Sequence, residues 1–231
     1  MAVIVDTETD APSGSPAPPR VPTWTLIAFA LGGLVLLGIA AVAIAWQEEP
    51  PAIRPAWGGS VLDPAPDRFA TDLIDTDGAP FDLRRATAGQ LTLVFFGYTN
   101  CPDICSVQMA TLKQSLDRVE VPAKVVFVTT DPARDTPERL RSWLDSFDPA
   151  FTGLTGSEAA IARAQRDMGV TVAVADEVEK DGAYTVGHSS AVYVFTTDDR
   201  AHLAYPAGTR QELWTNDLPR IANEAAWQPA S

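Results

Sequence analysis

The chain has 231 residues, 46% of them hydrophobic and 20% charged, with a formal net charge of −13 and two cysteines. That length suits one well-packed domain with appendages and is short for two. The acidic balance argues against a nucleic-acid partner, because gripping a polyanion takes clustered Lys and Arg, and here the acid excess is spread over the chain as a solvated surface.

Residues 1–20 are rich in Pro, Ala, Ser and acids and offer almost nothing to bury, which predicts a disordered leader. A membrane anchor is expected over 21–47, where "VPTWTLIAFALGGLVLLGIAAVAIAW" carries no charge. Leu26 to Trp46 is a helix length that crosses a hydrocarbon core of about 30 Å, with Trp24 and Trp46 placed for the two interfaces. A cleaved signal peptide is the rival, since Ala43-Ile44-Ala45 resembles a cleavage site, but the apolar run is long for one and its leader sets Arg20 against three acids. Arg20 before the span, against Glu48, Glu49 and then Arg54 after it, favours the N-terminus inside and the C-terminal domain outside. No cysteine directly follows the span, which excludes a lipoprotein anchor. "EEPPAIRPAWGGSVLDPAP" (48–66) reads as a Pro- and Gly-punctuated linker.

The domain is expected over 67–231. "FATDLIDTDGAPFDL" suggests two short strands about an Asp77-Gly78 turn. "LTLVFFG" (91–97) and "KVVFVTTD" (124–131) are continuous apolar runs, the pattern of strands buried on both faces. Between them, 103–118 has helical spacing, with Ile104, Val107, Leu112 and Leu116 as inward positions. "RDTPERLRSWLDSF" (134–147) opens with helix-start chemistry: Asp135 and Thr136 as caps, Pro137 in the first turn, and Glu138 at the positive end. A helix at about 157–168 follows, then strand-like 170–177, 190–197 and 201–205, and a last helix near 210–223. This order predicts an α/β sheet with helices on its faces.

Cys101 and Cys105 are the chain's only cysteines. The first sits where a buried strand ends, the second in the first turn of the next helix, at the carboxyl edge where α/β sheets build sites. Helix N-terminal amides are expected to lower a thiol's pKa, favouring a thiolate that is both nucleophile and soft metal ligand. A stapling disulfide across so short a loop contributes little entropy. His188 lies just before strand 190–197, so it reaches the cysteine loop if that strand neighbours 91–97. Two sulfurs and an imidazole suit Cu(I), or Cu(II) with an added weak ligand, whereas structural zinc wants a fourth protein ligand and none is evident. On spacing alone, a lone histidine beside a strand is more often a hydrogen-bonded structural residue.

Together and in this order, "GYTNCPDIC", "TTDPARDTPERL" and "YTVGHSSAVYVF" resemble the Sco/SenC family of copper-binding assembly proteins for cytochrome c oxidase, over about residues 60–225. The resemblance implies a thioredoxin-like fold and copper held by Cys101, Cys105 and His188. It also implies delivery of copper to, or reduction of the thiols of, the binuclear copper site in oxidase subunit II, outside a bacterial cytoplasmic membrane. An upstream copper donor or a thiol reductase is a further expected partner. Ser106 stands where many members have Pro, and Gly187 where they have Asp. Neither change removes a proposed ligand, but the second takes away a group that would orient the His188 ring.

Other soft or ionisable residues have simpler expectations. Met109, one turn after Cys105, suits the core better than a metal. His202 is expected to be a surface or hydrogen-bonded histidine, and Asp103 to serve the helix start. The alternative function is a membrane-tethered thiol–disulfide oxidoreductase in which Cys101 and Cys105 cycle without metal. Against it stand a C-x3-C spacing where such enzymes use C-x2-C, and the lack of a proline in 171–205. That reading also gives His188 no required role.

Overall fold

Two apolar runs form the centre of the domain because nearly every side chain in them is buried. The computed structural model describes Pro22 and residues 56–102, 104–178 and 183–223. The leader and the span at 21–47 therefore fall outside the described residues, apart from Pro22. Among the described residues, no helix is long and apolar enough to cross a membrane. The chain divides into a unit Met1–Ile53 and a unit Arg54–Ser231, and every element below belongs to the second.

Among the described residues, ten strands and five helices follow one another: β1 (Ser60–Val61), β2 (Leu73–Asp75), β3 (Pro80–Phe81), α1 (Leu83–Ala86), β4 (Thr92–Gly97), α2 (Ile104–Val119), β5 (Lys124–Thr129), α3 (Pro137–Asp145), β6 (Thr152–Thr155), α4 (Glu158–Asp167), β7 (Val174–Ala175), β8 (Val186–Gly187), β9 (Val192–Phe195), β10 (Ala201–Tyr205) and α5 (Gln211–Asn223). Eight strands make one sheet in the order β1-β10-β9-β4-β5-β6-β2-β3. β4, β5 and β6 run parallel, while β9 lies antiparallel to β4.

Side chains alternate across this sheet with period two, so each central strand feeds two cores. Leu93, Phe95, Val125, Phe127, Val192 and Val194 pack with Met109, Leu112, Leu140, Leu144, Trp214 and Leu218, from α2, α3 and α5. Val94, Phe96, Val126, Val128, Tyr193 and Phe195 face the opposite way, onto Leu83 of α1 and Ile161 and Ala164 of α4. Helix starts follow the sequence closely. Thr136 caps α3 by accepting from Arg139 N, with Pro137 in the first turn, and Ser157 caps α4. β2 and β3 pair about a turn where Gly78 adopts φ +79°, a left-handed conformation that glycine enters without strain.

Three expectations are corrected. Val107 is 56% exposed, because Cys105, Met109 and Leu112 set the inward face of α2 and a residue two positions from Cys105 points almost opposite. The run 170–177 adds no strand to the main sheet; only Val174–Ala175 pairs, with β8, in a separate two-stranded ladder. The side of β6 that such a strand would extend is already taken by β2, through Ile74↔Thr155. The linker is also shorter than 48–66 at its C-terminal end, since β1 adds to the sheet beside β10 and Trp57 packs on the core. Asp217, buried on α5, accepts from Gly58 N and Tyr205 Oη, both at 2.7 Å, and the Arg220 guanidinium lies 4.0 Å over the Trp57 ring.

The topology brings distant residues to one edge. Phe95, near the end of β4, pairs with Val192 at the start of β9, and Gly97 pairs with Thr129 at the end of β5. The loop after β4, the turn after β5 and the segment before β9 therefore meet at the carboxyl edge of the parallel strands.

Candidate metal centre

The strand β4 ends at Gly97 and the chain turns at once, with Cys101 N donating to the Tyr98 carbonyl at 3.2 Å. Cys105 then enters the first turn of α2 and is fully buried, while Cys101 is half-buried; both are free thiols. Gly97 makes room for this: a Cβ there would stand 3.0 Å from Cys105 Sγ and 3.0 Å from the Phe127 ring.

His188 closes the group from the other side. Its Nε2 lies 3.8 Å from Cys105 Sγ, and one ligand atom from each of Cys101, Cys105 and His188 lies within 4.8 Å of the others. The ring is oriented by its own backbone. Nδ1 sits 2.8 Å from the Ser189 carbonyl, which can only accept, so Nδ1 carries the proton and the Nε2 lone pair faces the sulfur. Ser189 O thus fills the orienting role for which Gly187 has no side chain. Phe95 and Tyr98 meet the imidazole edge-on at centroid distances of 6.2 and 5.6 Å. Tyr98 Oη also accepts from Val186 N at 3.2 Å, fixing the strand that leads to His188.

The thiol chemistry differs from the expectation of a lowered pKa. Burial pushes the Cys105 thiol well above its ordinary value, and neighbouring Cys101 adds in the same direction. A helix terminus supplies about 0.3–1 kcal/mol, less than one pKa unit, whereas full burial shifts a group by as much as about 3–5 units. Desolvation wins, so Cys105 is a neutral thiol until a cation replaces its proton. Two sulfurs and a neutral imidazole facing one point form a soft donor set that fits a thiophilic monovalent cation and leaves it low-coordinate.

The surrounding turn is more organised than its sequence suggests. Asp131 is buried, paired with Arg134 Nε, and accepts from Tyr184 Oη at 2.8 Å. Arg134 spans the gap, donating to the Tyr184 carbonyl at 3.1 Å with its guanidinium 3.5 Å over the Tyr184 ring and 5.7 Å over that of Tyr98. It therefore ties the β5 turn to the hairpin that carries His188. Tyr98, Tyr184 and the full role of Arg134 escape sequence reasoning, because only the tertiary fold brings them together. Elsewhere, Met109 is wholly buried in the core as expected. His202, at the start of β10 and so at the opposite sheet edge, is buried rather than on the surface, with Nε2 2.7 Å from Asp198 Oδ2. Asp103 lies outside the described residues.

Comparison with known proteins places the chain among its relatives. The sequence model of the SCO1/SenC family matches residues 67–223. An SCO2-like protein of Rickettsia typhi is 34% identical over 128 residues, covering 54% of this chain and 63% of its own length, so this chain spans somewhat under two thirds of that relative. The structure of Bradyrhizobium japonicum ScoI with copper bound has 31% identity and a TM-score of 0.60, over 67% of this chain and 99% of that one. Arabidopsis thaliana ScoI with copper bound has 28% identity and a TM-score of 0.62, over 66% and 96%. The mixed α/β, thioredoxin-like arrangement is the one these neighbours share.

Proposed function

Because the chain belongs to the SCO1/SenC family, we propose that it is a copper-binding assembly protein for cytochrome c oxidase, in which Cys101, Cys105 and His188 hold the ion. The observation that carries this reading is the convergence of two sulfurs and one imidazole nitrogen within 4.8 Å. Support comes from the copper bound in the Bradyrhizobium and Arabidopsis relatives. Copper is cargo here. Cu(I) displaces the thiol protons, takes the Nε2 lone pair of His188, and leaves by exchanging these ligands for those of an acceptor. Cys101 is the more exposed of the two cysteines and starts that exchange, buried Cys105 lets go last, and each regains its proton. The copper keeps its oxidation state throughout.

We further propose that residues 21–47 anchor the chain in a bacterial cytoplasmic membrane with the domain outside, and that subunit II of the oxidase is the client. The uncharged 21–46 stretch and Arg20 before it support that reading. Both cysteines are free, so the pair can also close to a disulfide, which is the basis of the alternative, metal-free oxidoreductase reading. Mixing the Cu(I)-loaded, reduced chain with the copper-free soluble domain of subunit II separates the two. Copper moving to the client without thiol oxidation supports delivery. No copper movement from the loaded chain, together with thiol oxidation of the metal-free reduced chain and reduction of a client disulfide, supports the oxidoreductase.

A further inference from the structure

Asp135 reads in sequence as a helix cap, but Thr136 does that work and leaves the Asp135 carboxylate to other partners. It is fully buried, and a buried carboxylate is tolerated only when its lone pairs are met. Thr99 N donates to Oδ2 at 2.9 Å, Thr99 Oγ1 to Oδ1 at 2.5 Å, and Thr129 Oγ1 to Oδ2 at 2.6 Å. The two hydroxyls have their protons committed to Asp135, because Arg139 Nε donates to Thr99 Oγ1 at 2.9 Å and Asp131 N donates to Thr129 Oγ1 at 3.0 Å. Three donors converging on one group demand an acceptor with no hydrogen of its own. A carboxylate meets that demand; an amide puts an NH2 against one of them.

The sheet does not need these bonds. β4 and β5 are already in register from Thr92↔Lys124 to Gly97↔Thr129, and Thr130 N closes the end by donating to Gly97 O at 2.7 Å. Thr99 lies beyond that closure, two residues past Gly97 and two before Cys101. The carboxylate therefore acts on the turn that presents Cys101. We infer that Asp135 is a positioning residue of the metal centre, holding the 98–101 turn through Thr99 so that Cys101 faces Cys105 and His188. Its functional consequence rests on the copper reading; the staple itself belongs to the metal-free chain.

The test uses the full chain with Asp135→Asn, Thr99→Val and Thr99→Ser, the threonine variants serving if Asp135→Asn fails to fold. In the reduced, metal-free protein, amide hydrogen exchange of residues 99–101 speeds up about tenfold in Asp135→Asn and Thr99→Val, while Phe95 and Phe127 keep their rates and Thr99→Ser behaves as wild type. In Cu(I) competition the same two variants still bind one ion but lose about 10–100-fold in affinity, and Thr99→Ser restores it. Unchanged exchange in the turn, or core amides accelerating with it, overturns the staple. A looser turn with unchanged copper affinity overturns the positioning role. If the wild type itself fails to bind Cu(I), the copper reading falls, and the exchange data still decide the staple.

Discussion

His188 Nε2 sits 3.8 Å from Cys105 Sγ although 83 positions separate the two residues. The contact exists because β9 runs antiparallel beside β4, so the start of one strand meets the end of the other. Everything required of a soft metal centre then follows from local detail: a glycine that lets the sulfur in, a carbonyl that sets the imidazole, and two rings that hold it.

Gly97→Ala tests the space at the centre. The added Cβ would crowd Cys105 Sγ and the Phe127 ring at 3.0 Å. We expect a loss of about 1–3 kcal/mol in denaturant unfolding and a fall in copper affinity of at least about tenfold, as for a displaced ligand. Wild-type affinity in the variant would mean that the thiol is free to shift and that the close approach is incidental.

The raised Cys105 pKa makes copper uptake proton-linked. At neutral pH the thiol is protonated, so binding releases its proton, and apparent affinity rises with pH by about tenfold per unit for each proton released. The sign for the metal-free fold is opposite. A group whose pKa is raised on folding stabilises at pH below its unfolded value, and this stabilisation is lost as pH rises through the folded value. Cu(I) competition between pH 6 and 8, beside unfolding of the metal-free protein in the alkaline range, reads both signs.

Tyr184→Phe removes the hydroxyl that bonds Asp131 at 2.8 Å and leaves the ring under Arg134. A loss of about 1 kcal/mol in stability is expected. Hydrogen exchange at Val186 and Gly187 should quicken more than at Phe95, because the bond ties the hairpin leading to His188.

Much of this was legible in the chain, for physical reasons. β4 and β5 announce themselves because a strand buried on both faces must be apolar at every position, and α3 because Thr136-Pro137 is a strong helix start. Cys101, Cys105 and His188 could be singled out from their places at strand ends. That they converge was implied by the family resemblance but not by spacing, since neighbouring strands are chosen by the sheet. The same limit explains Val174, whose alternating pattern suits a strand while β2 already occupies the edge it would need. Cys105 shows a failure of a different kind: its helix-terminal position was readable, its burial was not, and burial governs its proton. Asp135 was visible as an acid at a helix start, yet its partners at Thr99 and Thr129 exist only in the fold.

Residues 57–59, just before β1, should prove part of the domain. Asp217→Ala leaves Gly58 N and Tyr205 Oη without their acceptor, at an expected cost of about 2–4 kcal/mol in unfolding. Copper stoichiometry should stay at wild type, because this cluster and the ligands lie on different elements. A stability change below about 0.5 kcal/mol, the ordinary range for surface substitutions, would mean that residues 57–59 are only loosely attached.

The most direct test of the central claim is anaerobic Cu(I) competition on the reduced protein, with Cys101→Ala, Cys105→Ala and His188→Ala measured beside it. One tightly held copper is expected in the wild type, with loss of high-affinity binding in either cysteine variant and a large fall in affinity in His188→Ala. Equal copper binding by the wild type and all three variants would contradict it, leaving His188 as a packed structural residue and the cysteines as a redox pair.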